Sequence, residues 1–167
     1  MRRARALLLL AALLGVGCET ARDAGGTTAR RVSLDAPTRV RIRVVQNLTL
    51  VQVTLNRVHP ATLVVDTGAQ STILSPSVVK RLGVAVSADA PRRQVAGVGG
   101  NKFEVPFVKL AVLRVGDARI ENMEVGVYDV APSARGIHGL LGADFLHEFR
   151  LTLDRNENLM QLEPLKH

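Results

Sequence analysis

From Val40 onward, apolar and polar residues alternate along most of the chain, a pattern typical of strands with one buried face. The alternation is clearest where Val40, Ile42 and Val44 are separated by Arg41 and Arg43. Similar runs, divided by turn residues, follow at 48–55, 61–65, 72–74, 109–115, 118–127, 150–153 and 159–162. Many short strands with frequent turns predict an all-β sandwich or barrel.

Two short helices are predicted between these strands. Ser75-Pro76 is typical of a helix start, because serine is a favoured cap and proline is favoured at the first helical position. Gly83 would end this helix. A second helix is predicted from Ala143 to about Glu148.

The first 17 residues have a different pattern, which predicts a signal peptide. Arg2, Arg3 and Arg5 form a basic opening, and an apolar run follows at 7–14. This run is too short for a membrane-spanning helix. Three arginines and no acids would leave with the signal, which lowers the formal net charge from +7 to +4.

Cys18 follows the apolar run and is the only cysteine, which excludes an intramolecular disulfide. Leu14-Gly15-Val16-Gly17-Cys18 is similar to a bacterial lipobox. The similarity implies lipidation of Cys18 and an exported protein held on a bacterial envelope membrane, facing the periplasm or the exterior. Ordinary signal cleavage with a spare cysteine is the alternative. Residues 18–36 are small and polar and predict a flexible tether, and 37–165 predict one folded domain.

Several kinds of site are disfavoured by the composition. Lysines and arginines are scattered, and one tyrosine and no tryptophan are present for base stacking, so nucleic-acid binding is not expected. His59, His138 and His167 lie far apart in the sequence, and no metal site or cofactor is predicted.

The strongest candidate for chemistry is Leu63-Val64-Val65-Asp66-Thr67-Gly68-Ala69, in which an apolar strand ends in an acid, a hydroxyl residue and a glycine. Asp-Thr-Gly alone is a weak signal. A simple turn, in which Asp66 bonds to its own backbone, would use the same residues.

Four segments in order nevertheless resemble the retropepsin-like aspartic proteases, over about Val40 to Leu162. They are Asn56 with the strand into Asp66-Thr67-Gly68-Ala69, the helix region from Ser75 to Gly83, the glycine-rich 95–100, and 139–146 with Gly139-Leu140-Leu141-Gly142. The resemblance implies a closed barrel with a flap hairpin and one or two short helices. It also implies an aspartic endopeptidase that acts on peptide or protein substrates.

The resemblance assigns roles to single residues. Asp66 would be the catalytic acid, and Thr67, Gly68 and Ala69 would form its active-site loop. Thr67 would bond across to a partner chain, and Gly68 would allow the tight backbone turn beside the carboxylate. Val98, Gly99 and Gly100 would close over a peptide, and Gly139, Leu140, Leu141 and Gly142 would form the family's apolar-apolar-glycine element, its ψ-loop.

The mechanism needs a second carboxylate, and Asp-Thr-Gly occurs once in the chain. The simplest source is a second copy of Asp66 in a homodimer. Asp144 is the intramolecular rival, but its place at the predicted start of a helix favours a capping role. A non-catalytic envelope lipoprotein that uses the same fold as a binding module is the alternative function.

Overall fold

The computed structural model describes residues 29–96, 102–132 and 134–165, in which eleven strands and two short helices occur. The strands are β1 (Arg31–Ser33), β2 (Thr38–Val45), β3 (Leu48–Leu55), β4 (His59–Val65), β5 (Ile73–Leu74), β6 (Arg92–Ala96), β7 (Lys102–Val115), β8 (Ala118–Val127), β9 (Gly139–Leu141), β10 (Phe149–Asp154) and β11 (Leu159–Pro164). Helix α1 (Pro76–Arg81) follows β5, and α2 (Ala143–Leu146) follows β9.

Six of the strands close into a ring in the order β3, β4, β9, β5, β8 and β7. The ring is completed where Thr54 and Leu55 of β3 pair with Arg114 and Leu113 of β7. Strands β2, β11 and β10 extend the sheet beyond β3, while β6 forms a hairpin with the first part of β7. Closure satisfies backbone groups that an open sheet would expose at its edges. The all-β class and the closed barrel expected from the sequence are confirmed.

Tight turns join neighbouring strands at the positions where turn residues interrupt the apolar pattern. Gln46 and Asn47 link β2 to β3 with positive φ angles of 47° and 66°, the geometry that matches the twist of a hairpin. Asn56, which follows β3, also has a positive φ. Its side-chain oxygen accepts hydrogen bonds from the backbone N–H groups of Ala111 and Val112, which fastens this turn to β7.

One large apolar core lies against the inner faces of the strands, and both helices contribute to it. Val78 and Val79 of α1 and Phe145 and Leu146 of α2 are buried there. A second, smaller cluster contains Ile73, Val105 and Phe107, with Val95 and Leu140 packed against it. The smaller cluster therefore joins the ring to the base of the β6–β7 hairpin.

The N-terminal boundary of the fold differs from the sequence prediction. Strand β1 lies within 18–36, the range assigned to a flexible tether, and it pairs with β8 through Arg31↔Glu121 and Ser33↔Arg119. The reason is non-local: a three-residue strand has no recognisable period, and its order comes from backbone pairing with β8.

Other predictions concern residues outside the described ranges. They are the signal peptide at 1–17, the lipidation site Cys18, and Val98, Gly99 and Gly100 of the expected flap. Strands β6 and β7 form the two arms on either side of that flap segment. Among the described residues, no helix has both the length and the apolar character needed to span a membrane.

Candidate active site

The candidate site is built where two strands that are distant in sequence run in parallel. Val64 and Val65 of β4 pair with Leu140 and Leu141 of β9. The N–H of Asp66 extends this pairing, because it donates to the carbonyl oxygen of Leu141 at 3.0 Å. The two apolar pairs that precede Asp66 and Gly142 are therefore neighbours in space, and the loops that follow them leave the sheet side by side.

The carboxylate of Asp66 is held by its own loop through one oxygen. Its Oδ1 accepts hydrogen bonds from the N–H groups of Gly68 at 3.0 Å and Ala69 at 3.2 Å. Within the described residues no hydrogen bond ends on Oδ2. Asp66 is half-buried, whereas Thr67 and Gly68 are exposed. The simple turn in which Asp66 bonds to its own backbone does form, and within the described residues it leaves Oδ2 without a hydrogen bond.

Gly68 and Thr67 have different places in this loop. A Cβ at Gly68 would lie 3.3 Å from Oδ1 of Asp66, tighter than ordinary van der Waals contact. Glycine therefore leaves room for the bent loop beside the carboxylate. The exposed Thr67 makes no side-chain hydrogen bond within the described part of the chain. Its expected bond to a partner chain stays a prediction.

The far half of the same loop is joined to the start of α2 by backbone and side-chain hydrogen bonds. Ala143 donates its N–H to the carbonyl oxygen of Ala69 at 2.8 Å, and Asp144 donates its N–H to that of Gln70 at 3.2 Å. Gly142 also donates its N–H to the hydroxyl of Thr72 at 3.1 Å. A Cβ at Gly142 would lie 2.6 Å from the carbonyl carbon of Ser71, so only glycine fits this approach.

Asp144 does not occupy the capping position that the sequence suggested. The residue before α2 is Gly142, and Asp144 lies in the first turn. Its Oδ2 accepts from the N–H of Thr72 at 2.8 Å, and its Oδ1 accepts from the hydroxyl of Thr72 at 2.7 Å. Burial raises the pKa of Asp144 above its usual value, although the hydrogen bonds from Thr72 oppose this rise. Thr72, which is fully buried, was not identified from the sequence, because nothing local marks its pairing with a residue 72 positions away.

His138 has a structural position away from Asp66. Its imidazole Nδ1 accepts a hydrogen bond from the backbone N–H of Thr62 at 2.9 Å. The backbone N–H of His138 donates to the carbonyl oxygen of Thr62 at 2.8 Å. Thr62 precedes Asp66 by four residues, about 13 Å along an extended strand. Burial, followed by the nearby positive charge of Arg81, lowers the pKa of His138. The bond from Thr62 needs an Nδ1 without a proton, so the imidazole acts here as an acceptor for the backbone.

The surface beside Asp66 has an apolar wall. Asp66 and Val64 are two residues apart and point to the same face of β4, because successive side chains alternate across a strand. Leu140 is the register partner of Val64 and also of Ile73, and it packs against the smaller apolar cluster. Val95 and Val105 bring the two arms of the β6–β7 hairpin to the same cluster.

An open cavity of about 540 Å³ is lined by Arg30, Ser71, Arg93 and Asp144, among others, but not by Asp66. Among the described residues, no three His, Cys, Asp or Glu side chains are grouped closely enough to hold a metal ion.

Comparisons with known proteins agree with the architecture. A family model described as aspartyl protease matches residues 51–145, which is more than half of the chain and includes Asp66 and Gly142. A search of curated proteins finds no significant match.

The fold is also found among solved structures. The crystal structure of a retropepsin-like aspartic protease from Rickettsia conorii matches with a TM-score of 0.58 and 18% sequence identity, over 81% of this chain and 94% of that one. This likeness confirms the retropepsin-like fold. Together with the family match over the Asp66 loop and the β9–α2 segment, it identifies the chain as a member of the retropepsin-like aspartyl protease family.

Proposed function

We propose that this protein is an aspartic endopeptidase whose active site is shared by two identical subunits, each contributing Asp66. The observation that carries the proposal is the state of the Asp66 carboxylate. One oxygen is oriented by the N–H groups of Gly68 and Ala69, and the other has no partner within the described residues. A carboxylate held in this way has a fixed direction and retains an oxygen for water or for a second carboxylate.

The chemistry requires two such groups. Peptide hydrolysis needs a base that removes a proton from water and an acid that protonates the departing nitrogen. Two adjacent carboxylates cannot both ionise easily, so they share one proton, an effect for which aspartic proteases are the standard example. The ionised member accepts a proton from water as the oxygen attacks the carbonyl carbon. The protonated member supplies a proton as the C–N bond breaks, and the pair titrates as a unit.

The second carboxylate is assigned to the partner's Asp66. Asp144, the intramolecular rival, already uses both oxygens to bind Thr72. A two-fold axis brings the same surface of two copies together, so one Asp-Thr-Gly segment per chain supplies a pair. The exposed Thr67 is available to bond across this axis.

The substrate is proposed to be an extended peptide or protein segment. The apolar wall near Val64 and Leu140 would accept apolar side chains on one side of Asp66. The segment with Val98, Gly99 and Gly100, which lies between β6 and β7, would close over the peptide. No cofactor takes part in this scheme.

The proposed setting is a bacterial envelope membrane. Lipidation at Cys18 would hold the enzyme at the membrane surface, facing the periplasm or the exterior. Metabolic labelling with a lipid precursor tests this setting: wild-type protein should be labelled, Cys18→Ala should not, and equal labelling of both would refute lipidation at Cys18.

Replacement of Asp66 by asparagine tests the mechanism. Asp66→Asn keeps the size of the side chain but removes the base, so cleavage of a denatured general protein substrate should be abolished while the cooperative unfolding transition remains. Full cleavage by a folded Asp66→Asn protein would refute the mechanism. A statine-type inhibitor should block cleavage by the wild-type enzyme at every pH at which that enzyme is active.

Dilution tests the shared site. Specific activity should fall as the protein concentration drops through the dimer dissociation constant, because each monomer carries half of the catalytic pair. A specific activity that stays constant in a proven monomer would contradict a shared dyad. Absence of cleavage at every pH, together with a stable monomer, would favour the non-catalytic binding module.

A further inference from the structure

The loop that carries Asp66 is exposed over much of its length, so packing alone does not define its position. Thr67, Gly68 and Gln70 are all exposed. Its beginning is fixed by the bond from Asp66 to Leu141, and its far end is fixed by five hydrogen bonds to residues 142–144. Three of these five bonds involve Thr72, and two of them end on the carboxylate of Asp144.

We propose that Asp144 is a positioning residue for the reaction, acting through Thr72 to hold the far end of the Asp66 loop. The proposal rests on the proposed function, because its consequence is the geometry of the catalytic carboxylate. Asp144 would not touch the substrate. It would bind both donors of Thr72, the backbone N–H and the hydroxyl, at the same time.

The hydroxyl of Thr72 makes this contact directional. It donates to Oδ1 of Asp144 and accepts from the N–H of Gly142, and the residue is fully buried. A buried hydroxyl that loses its partners leaves polar groups unsatisfied, which is unfavourable. The loop end and the glycine turn are therefore locked in one relative arrangement, since any shift would break several bonds together.

The backbone of Asp144 is also bound by a surface residue. Arg30, just before β1, donates from Nη2 to the carbonyl oxygen of Asp144 at 2.5 Å and pairs through Nη1 with Glu148 at 2.7 Å. Arg30, near the start of the described residues, thus contacts α2, the helix that carries Asp144. These contacts of Arg30 are on the surface, and we expect them to hold Asp144 in place less strongly than the half-buried bonds to Thr72 do.

A set of variants distinguishes positioning from a role of the negative charge. Asp144→Ala removes both acceptors. Asp144→Asn loses the charge but can still accept from the N–H of Thr72 through Oδ1 and donate from Nδ2 to its hydroxyl oxygen. The matched control is Asp154→Ala, because Asp154 also accepts from two backbone N–H groups, in the distant β10–β11 turn.

The expected results follow from the sensitivity of catalysis to small displacements. Asp144→Ala should lower kcat about 10- to 100-fold with a much smaller change in KM, since a displacement near 1 Å can have such an effect. Asp144→Asn and Asp154→Ala should keep most of the wild-type kcat. All assays are made well below the unfolding midpoint of each variant, so that lost stability does not imitate lost positioning.

A double-mutant cycle identifies Thr72 as the link. Thr72→Val removes the hydroxyl and should lower kcat, whereas Thr72→Ser keeps the hydroxyl and should retain activity. The double variant Asp144→Ala, Thr72→Val should lose less than the sum of the two single losses, because both substitutions remove the bond from the Thr72 hydroxyl to Asp144. Fully additive losses would overturn the proposal, as would equal kcat values for Asp144→Ala and wild type, or equal damage from Asp144→Ala and Asp144→Asn.

Failure of the proposed function has a different signature. If the wild-type protein cleaves nothing, amide hydrogen exchange at Thr72 tests the contact between Asp144 and Thr72 independently of activity. Exchange should be faster in Asp144→Ala than in Asp144→Asn. Unchanged exchange in both variants would overturn the proposal that Asp144 holds Thr72 in place.

Discussion

Replacement of Gly142 by alanine is expected to damage both the stability and the activity of the protein. Gly142 has an ordinary extended backbone, with φ of −95°, that any residue can adopt. The added Cβ would lie 2.6 Å from the carbonyl carbon of Ser71 and 2.9 Å from the nitrogen of Thr72. Since carbon atoms pack at about 3.5 Å, the two backbone segments would have to separate by about 0.9 Å.

The magnitude follows from this displacement. Overpacking of a close contact costs about 1–3 kcal/mol, which lowers the thermal midpoint by about 2–4 °C per kcal/mol in a domain of this size. The same movement displaces the loop that carries Asp66, and an error near 1 Å in an active site can reduce the rate about 100-fold. Activity should therefore fall more than the loss of stability explains.

The measurements are urea unfolding and cleavage of a protein substrate, both at one fixed protein concentration. Gly83→Ala is the matched control, because Gly83 has a positive φ of 68° but no atom within 4 Å of its added Cβ. It should lose about 1–2 kcal/mol through backbone strain and keep its kcat. If Gly142→Ala unfolds at the wild-type urea concentration and remains fully active, the steric argument is wrong.

Three further predictions concern the core, pH and a turn. Phe145→Ala should lower the free energy of unfolding by about 3–5 kcal/mol, because Phe145 is fully buried; Phe103→Ala, at a position 38% exposed, should have a much smaller effect in the same urea titration. The lowered pKa of His138 means that the unfolded state binds its proton more readily, so stability should be full above the usual value of 6.5 and fall as the pH drops below it; in His138→Gln this part of the pH dependence should disappear, and an unchanged slope would refute the assignment. Asn56→Ala should lower the unfolding free energy by about 1–3 kcal/mol, because two N–H groups of β7 lose their acceptor; an unchanged urea midpoint would show that water replaces it.

Much of the fold could be predicted from local patterns. The alternation around Val40, Ile42 and Val44 predicts a strand, and β2 forms there. Helix α1 after Ser75 also forms as predicted. These features depend on side-chain periodicity and backbone preferences within a few residues, which the sequence displays directly.

The candidate site was predictable only in part. Asp66 lies at the end of an apolar strand, as its sequence context indicates, and the Asp66 loop meets the Gly142 turn. The partner of Asp144 was not predictable, because its carboxylate could have capped α2 as readily as it binds Thr72. The choice depends on where a second loop passes, and nothing near Asp144 in the sequence encodes that position.

By itself, the sequence determined most of the strands, the single Asp-Thr-Gly and its position after an apolar strand, because each follows from neighbouring residues. Only the tertiary structure decided that β4 lies parallel to β9 and that β1 joins β8. It also decided that Thr72 is held by Asp144. These contacts join segments far apart in the chain, and they exist because the closed ring of strands brings complementary backbone and polar groups to the same place.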